Sequence, residues 1–163
     1  MSTTDIAGRP GQLSAEALQS AFGRFLAAHS ITALRVSLGL IIAGFGSLKF
    51  VPGWSPAEGL VMKAVEGMTF GMVTGTTAVV ATAALEVFIG LMFLTGLLPR
   101  LTLVITAGWL VGIMSPLVLF PRELFPGGLP TLAAQYILKD IILAAAVAVV
   151  GAASLGARYV PKR

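Results

Sequence analysis

The sequence predicts an all-α membrane protein in which four transmembrane helices form an antiparallel bundle. Of the 163 residues, 56% are hydrophobic and only 11% are charged, whereas about 25% of residues are charged in an average soluble domain. The apolar residues fall in runs that are long enough to span, since crossing a hydrocarbon core takes about 20 residues. The predicted spans cover residues 31–50, 76–98, 101–120 and 131–155.

The segment before the first span, residues 1–30, is predicted to lie outside the hydrocarbon. Residues 1–11 are polar and contain glycine and proline, which is typical of a disordered tail. Between Gln12 and Ser30 apolar residues recur at helical spacing, with polar residues on the other faces. This pattern predicts an amphipathic helix in the headgroup layer. A solvated cytoplasmic helix is the alternative.

The first span combines small residues with two basic ones. Gly39, Ala43 and Gly46 share one face, which allows a neighbouring helix to approach closely. Lys49, at the outer end, is expected to extend to the headgroups. Arg35 lies deeper, and its side chain is interpreted as either inward-facing or headgroup-facing. Residues 51–75 then predict a loop with a short helix that lies on, or dips into, the outer face.

The second span carries a single acidic residue, Glu86, near its middle. A charge at the bilayer centre costs about 2.5–3.5 kcal/mol on insertion scales, so an intramembrane carboxylate predicts a functional site. The structural alternatives are that it pairs with a lysine or stays protonated. The third span carries no charge, and Trp109 within it is interpreted as a packing residue.

The fourth span begins with polar residues and continues without them. Gln135 and Lys139 share a helix face, and so do Tyr136 and Asp140. The eleven residues of the range 141–151 have no polar side chain. The charged pair therefore lies inside the predicted span.

These side chains are expected to converge on one cavity that opens towards the outer side. Glu86 and Lys139 are expected to form its deepest ion pair, because unpaired charges at that depth are costly. The sequence shows no nucleophile–base arrangement, phosphate-binding glycine loop or metal-ligand cluster. The predicted cavity residues are Arg35, Lys49, Glu86, Gln135, Tyr136, Lys139 and Asp140.

The distribution of charge predicts the orientation and excludes several classes of function. Six basic residues lie on the side of the termini and two lie in the opposite loops, which places both termini in the cytoplasm. The basic residues flank apolar runs rather than aromatic clusters, so nucleic-acid binding is not expected. The absence of cysteine excludes thiol redox chemistry. Residues 156–163 form a basic tail.

Several short motifs occur in a recognisable order. They are Arg35–Gly39, Gly44–Phe50, Leu85–Gly90, Thr95–Gly96 and Gln135–Asp140. Together they resemble the DoxX-like family of bacterial inner-membrane proteins.

The resemblance covers about residues 31–155 and implies a four-helix bundle in the bacterial inner membrane. Some relatives are linked to thiosulfate–quinone oxidoreductases, and others to membrane complexes that handle oxidative stress. The chain departs from the thiol-active relatives, because it has no cysteine. The polar set that the resemblance marks comprises Arg35, Lys49, Glu86, Lys139 and Asp140.

Three functions remain open at this point. The first is a redox-associated subunit whose cavity binds a quinone headgroup or a small anion, with electrons supplied by a partner protein and no intrinsic cofactor. The second is a non-catalytic assembly or scaffold subunit, for which a membrane or redox protein is again the expected partner. The third is a small-solute carrier, which the absence of inverted repeats disfavours. The sequence is compatible with a homo-oligomer and leaves enzymatic activity open.

Overall fold

The computed structural model describes residues 10–157, with side chains from residue 15 onwards. Most of the predicted N-terminal tail and of the predicted basic tail lie outside these residues. Within the described range every regular element is a helix. The α-helices are α1 (Pro10–Leu48), α2 (Glu58–Met68), α3 (Gly75–Thr95), α4 (Pro99–Met114), α5 (Pro116–Leu119), α6 (Pro121–Leu124) and α7 (Leu132–Ser154).

Four helical segments are long and apolar enough to cross a membrane, as predicted for a multi-pass membrane protein. They are Ala15–Leu48, Gly75–Thr95, Pro99–Leu119 and Leu132–Ser154. The third consists of α4 and α5, which are separated at Ser115 because Pro116 has no backbone N–H to continue the ladder.

Helix α1 includes residues of both the predicted amphipathic segment and the predicted first span. In the N-terminal part of α1, four large apolar side chains are exposed at helical spacing: Leu18, Phe22, Phe25 and Leu26. Such a stripe suits contact with a bilayer. Its position in the headgroup layer remains a prediction.

Glycines determine how α1 meets α3. A Cβ added to Gly39 would lie 2.7 Å from Leu94 Cγ and 2.9 Å from the carbonyl oxygen of Gly90. A Cβ added to Gly46 would lie 2.7 Å from Glu86 Cβ. Later residues of α1 therefore contact earlier residues of α3, and the two backbones approach so closely that only glycine fits.

Helix α1 is shifted along α3, so that α1 ends beside the middle of α3 and does not extend along its N-terminal half. Gly46 lies level with Glu86, near the middle of α3, and α1 ends only two residues later at Leu48. Helix α2 packs against both α3 and α4, and Gly67 of α2 lies close to Leu119 and Phe120. The loop helix is thus packed against the other helices.

The apolar core is built from α1, α3, α4 and α7. Its buried members are Leu38, Ile42, Ile89, Phe93, Leu110, Val147 and Val150. A smaller cluster of Leu124, Ala134 and Ile137 joins α6 to the beginning of α7. Helix α7 begins there with Thr131 as its N-cap, whose hydroxyl accepts the N–H of Ala134 at 3.2 Å.

Candidate functional site

Glu86 is a buried carboxylate with both of its oxygen atoms occupied. Its Oε2 forms an ion pair with Lys49 Nζ, and the two side chains are only 5% and 8% exposed. Its Oε1 accepts a hydrogen bond from the indole Nε1 of Trp109 at 3.2 Å. The carboxylate therefore joins α3 to the end of α1 and to α4 by charge-assisted bonds.

The partner of Glu86 differs from the expected one. The expectation that Glu86 pairs with Lys139 and that Lys49 extends to the headgroups was wrong, because Lys49 occupies the carboxylate. The close contact of Gly46 with Glu86 brings the end of α1 to this level, and Lys49 is the first residue after α1. A cation at a helix C-terminus is also favoured by the helix dipole.

Trp109, which was predicted to be a packing residue, is also part of the site. Helices α3 and α4 are joined by a tight turn at Leu97 and Leu98. Glu86 lies 11 residues before Leu97, and Trp109 lies 11 residues after Leu98. In a helical hairpin, equal distances from the turn place two residues at the same depth. This equal spacing was the feature of the sequence that could have predicted Trp109 beside Glu86.

The polar residues of α7 form a second, more open group. The Lys139 ammonium lies 4.2 Å from the centroid of the Tyr136 ring, which is a cation–π contact. Lys139 is exposed, and Tyr136 is 57% exposed. Gln135 is also exposed, and its Nε2 donates to the carbonyl oxygen of Pro130 at 3.4 Å. These three side chains point away from the core.

Asp140 links the open group to the buried pair. It is half-buried, and its carboxyl lies near enough to Glu86, Lys139 and Lys49 for the charges to interact. The direct ion pairs of the described residues are Lys49–Glu86 and Lys63–Glu123, so Asp140 has no direct ionic partner there. A series of ionisable side chains thus extends from the exposed Lys139, through Asp140, to the buried Lys49–Glu86 pair.

Arg35 lies apart from both groups. Its Nη1 donates to the backbone carbonyls of Phe93 and of Leu94, the latter at 3.0 Å. These carbonyls belong to the last turn of α3, where a cation is favoured. Fourteen residues separate Arg35 from Lys49, which is about 21 Å along a helix. The predicted cavity residues are therefore divided among three places.

Within residues 10–157, no group of three or more His, Asp or Glu side chains is arranged to hold a metal ion. The chain has no match among protein families, curated proteins or solved structures. The chemistry of these three places is therefore the basis for a functional assignment.

Proposed function

We propose that this chain is a DoxX-like subunit of the bacterial inner membrane that binds a quinone headgroup for a partner oxidoreductase. In this proposal its four spans form an antiparallel bundle with both termini in the cytoplasm. The observation that carries the proposal is the exposed Tyr136–Lys139 pair beside the half-buried Asp140, inside an apolar span.

The depth of Lys139 is the first support. It lies seven residues after Leu132, the first residue of α7, which is about 10 Å along the helix axis. A lysine within a span costs about 2.5–3.5 kcal/mol unless it is paired or hydrated, and such residues by default indicate a function. Lys139 forms no direct ion pair with a carboxylate in the described part of the chain. A polar headgroup arriving from the bilayer would offset this cost.

The donors and acceptors of this face match a quinone. The Lys139 ammonium and the Tyr136 hydroxyl can donate hydrogen bonds to quinone carbonyl oxygens, while the Asp140 carboxylate can accept one from the hydroquinone hydroxyl. Leu138 and Ile142, both exposed on the same helix, provide apolar surface for the ring and its tail. Electrons come from the partner protein.

In this proposal the buried Lys49–Glu86 pair stabilises the packing of the helices and does not bind the ligand. Because Glu86 is occupied by Lys49 and Trp109, it braces three helices and leaves the α7 face to bind the ligand. A non-catalytic scaffold is the second candidate, and this closed arrangement is the observation that favours it. In that case the α7 face would contact another membrane subunit.

Quinone binding is testable with the purified protein. We expect gently extracted wild-type protein to retain about one quinone per chain by native mass spectrometry and solvent extraction. Lys139→Leu is expected to weaken binding of a short-chain benzoquinone about 10- to 100-fold, because a hydrogen bond to a charged group contributes about 1.5–3 kcal/mol. The variant should fold, since the lysine is exposed and leucine suits a lipid-facing position.

Lys63→Gln is the matched control, because Lys63 is an exposed lysine that pairs with Glu123 and not with a residue of α7. It should bind the benzoquinone as the wild type does. Equal affinities for wild type and Lys139→Leu would contradict the proposal. Co-purification of other membrane subunits without any quinone would favour the scaffold.

A further inference from the structure

A cavity of about 410 Å³ lies beside Arg35, at the far end of α3 from the loop helix α2. This volume is within the range of about 300–1,000 Å³ that is typical of ligand pockets. The end of α3, the beginning of α4 and the end of α7 all contribute to its wall.

Arg35 is held in a fixed position in this cavity. Its Nη1 bonds to the two carbonyls of α3 described above, and no described residue accepts a hydrogen bond from its Nε or Nη2. Gly96 makes this approach possible, because a Cβ there would lie 3.1 Å from Nη1 and because its φ of +72° favours glycine. Guanidinium donors therefore remain free beside the cavity.

The cavity lies at the level where several helices end. Helix α3 ends at Thr95, α4 begins at Pro99 and α7 ends at Ser154, and all three residues line it. The 21 residues of α3 extend for about 31 Å, which matches a hydrocarbon core of about 30 Å. A span of this length would place its ends, and the cavity beside them, at the boundary between the hydrocarbon core and the lipid headgroups.

We propose that this cavity binds a phosphate group, supplied by the headgroup of an anionic phospholipid. The planar guanidinium fork matches the geometry of phosphate oxygens, and an arginine held rigidly loses little freedom on binding. The Ser154 hydroxyl offers a further donor, while Leu103 and Val150 provide apolar wall for the first carbons of the lipid. Basic pockets between spans on the cytoplasmic side are suited to anionic headgroups. This site is separate from the proposed quinone face.

The test measures lipid retention by the full chain. Protein is delipidated in detergent and titrated with phosphatidylglycerol, or with sodium phosphate in a second arm, and binding is followed by native mass spectrometry and thermal shift. We expect one tightly bound phosphatidylglycerol and a loss of affinity of at least about tenfold in Arg35→Gln. Arg100→Gln is the control, since Arg100 is exposed in the first turn of α4 and does not line the cavity.

A second variant separates binding from folding, because Arg35 also caps α3. Ser154→Trp fills the cavity from α7 and leaves the bonds of Arg35 to α3 intact, so it should lose the lipid to the same degree. Saturation by sodium phosphate at similar affinity would identify the free anion as the source of the phosphate group. Binding of neither probe, or equal binding by wild type, Arg35→Gln and Ser154→Trp, would overturn the proposal.

Discussion

Replacing Glu86 by leucine is expected to lower the free energy of unfolding by about 3–5 kcal/mol, because it leaves the buried ammonium of Lys49 without its partner. The indole N–H of Trp109 loses its acceptor in the same variant. Replacing Glu86 by leucine and Lys49 by methionine together is expected to restore most of the loss, since no uncompensated charge then remains. Buried pairs commonly behave in this way when both partners become apolar.

Thermal and denaturant unfolding in detergent, followed by circular dichroism, measures this difference. Lys63→Gln breaks the exposed Lys63–Glu123 ion pair and is expected to change stability by no more than about 1 kcal/mol. A double variant as unstable as Glu86→Leu would contradict this explanation, because an unpaired Lys49 ammonium could not then be the cause of the loss.

Replacing Gly90 by alanine is expected to destabilise the protein by about 3 kcal/mol, at the upper end of the cost of overpacking. The added Cβ would lie 2.6 Å from both the Cβ and the backbone nitrogen of Ala43, and 2.7 Å from the carbonyl oxygen of Gly39. Backbone atoms cannot rotate away as a flexible side chain can. Helix α1 must therefore move away from α3, which also stretches the Lys49–Glu86 pair.

Gly108→Ala provides the matched control for this prediction. Gly108 is an exposed glycine of α4, and a Cβ added there meets nothing within 4 Å. Alanine should stabilise this helix by up to about 1 kcal/mol, because glycine has the lower helix propensity. The two variants are thus expected to shift the unfolding midpoint in opposite directions. Shifts of the same sign would contradict the close contact between α1 and α3.

The number of spans could be predicted from the sequence, whereas their axial alignment could not. Runs of apolar residues indicate which segments can cross a membrane, and Gly39 and Gly46 indicated the face of α1 that meets a neighbour. Helical periodicity assigns faces but carries no information on how far one helix is shifted along another. Placing Lys49 at the outer end of the first span and Glu86 near the middle of the second put these two residues too far apart to pair. The structure instead sets Gly46 beside Glu86.

The axial shift between α1 and α3 also explains why the predicted cavity residues lie in three separate places. The sequence allowed an inward-facing or a headgroup-facing Arg35, and the structure places it level with the last turn of α3, where it donates to backbone carbonyls. Lys139 was expected to pair with Glu86, yet Lys139 is exposed and Asp140 is the more buried of the two residues. Adjacent helix residues differ by about 100° around the axis, so only one of the two can face the core.

The most direct test of the account is photo-crosslinking with a short-chain quinone that carries an aryl azide, followed by peptide mass spectrometry. We predict that the label falls between Leu132 and Ile142 of α7, is displaced by excess unmodified quinone, and is lost in Lys139→Leu. Glu86→Leu combined with Lys49→Met should still be labelled, because the brace does not touch the ligand. Displaceable label around Glu86 between α1 and α3, or no displaceable label at all, would contradict the proposal. In that case the quinone would not bind to the exposed face of α7, away from the buried Lys49–Glu86 pair.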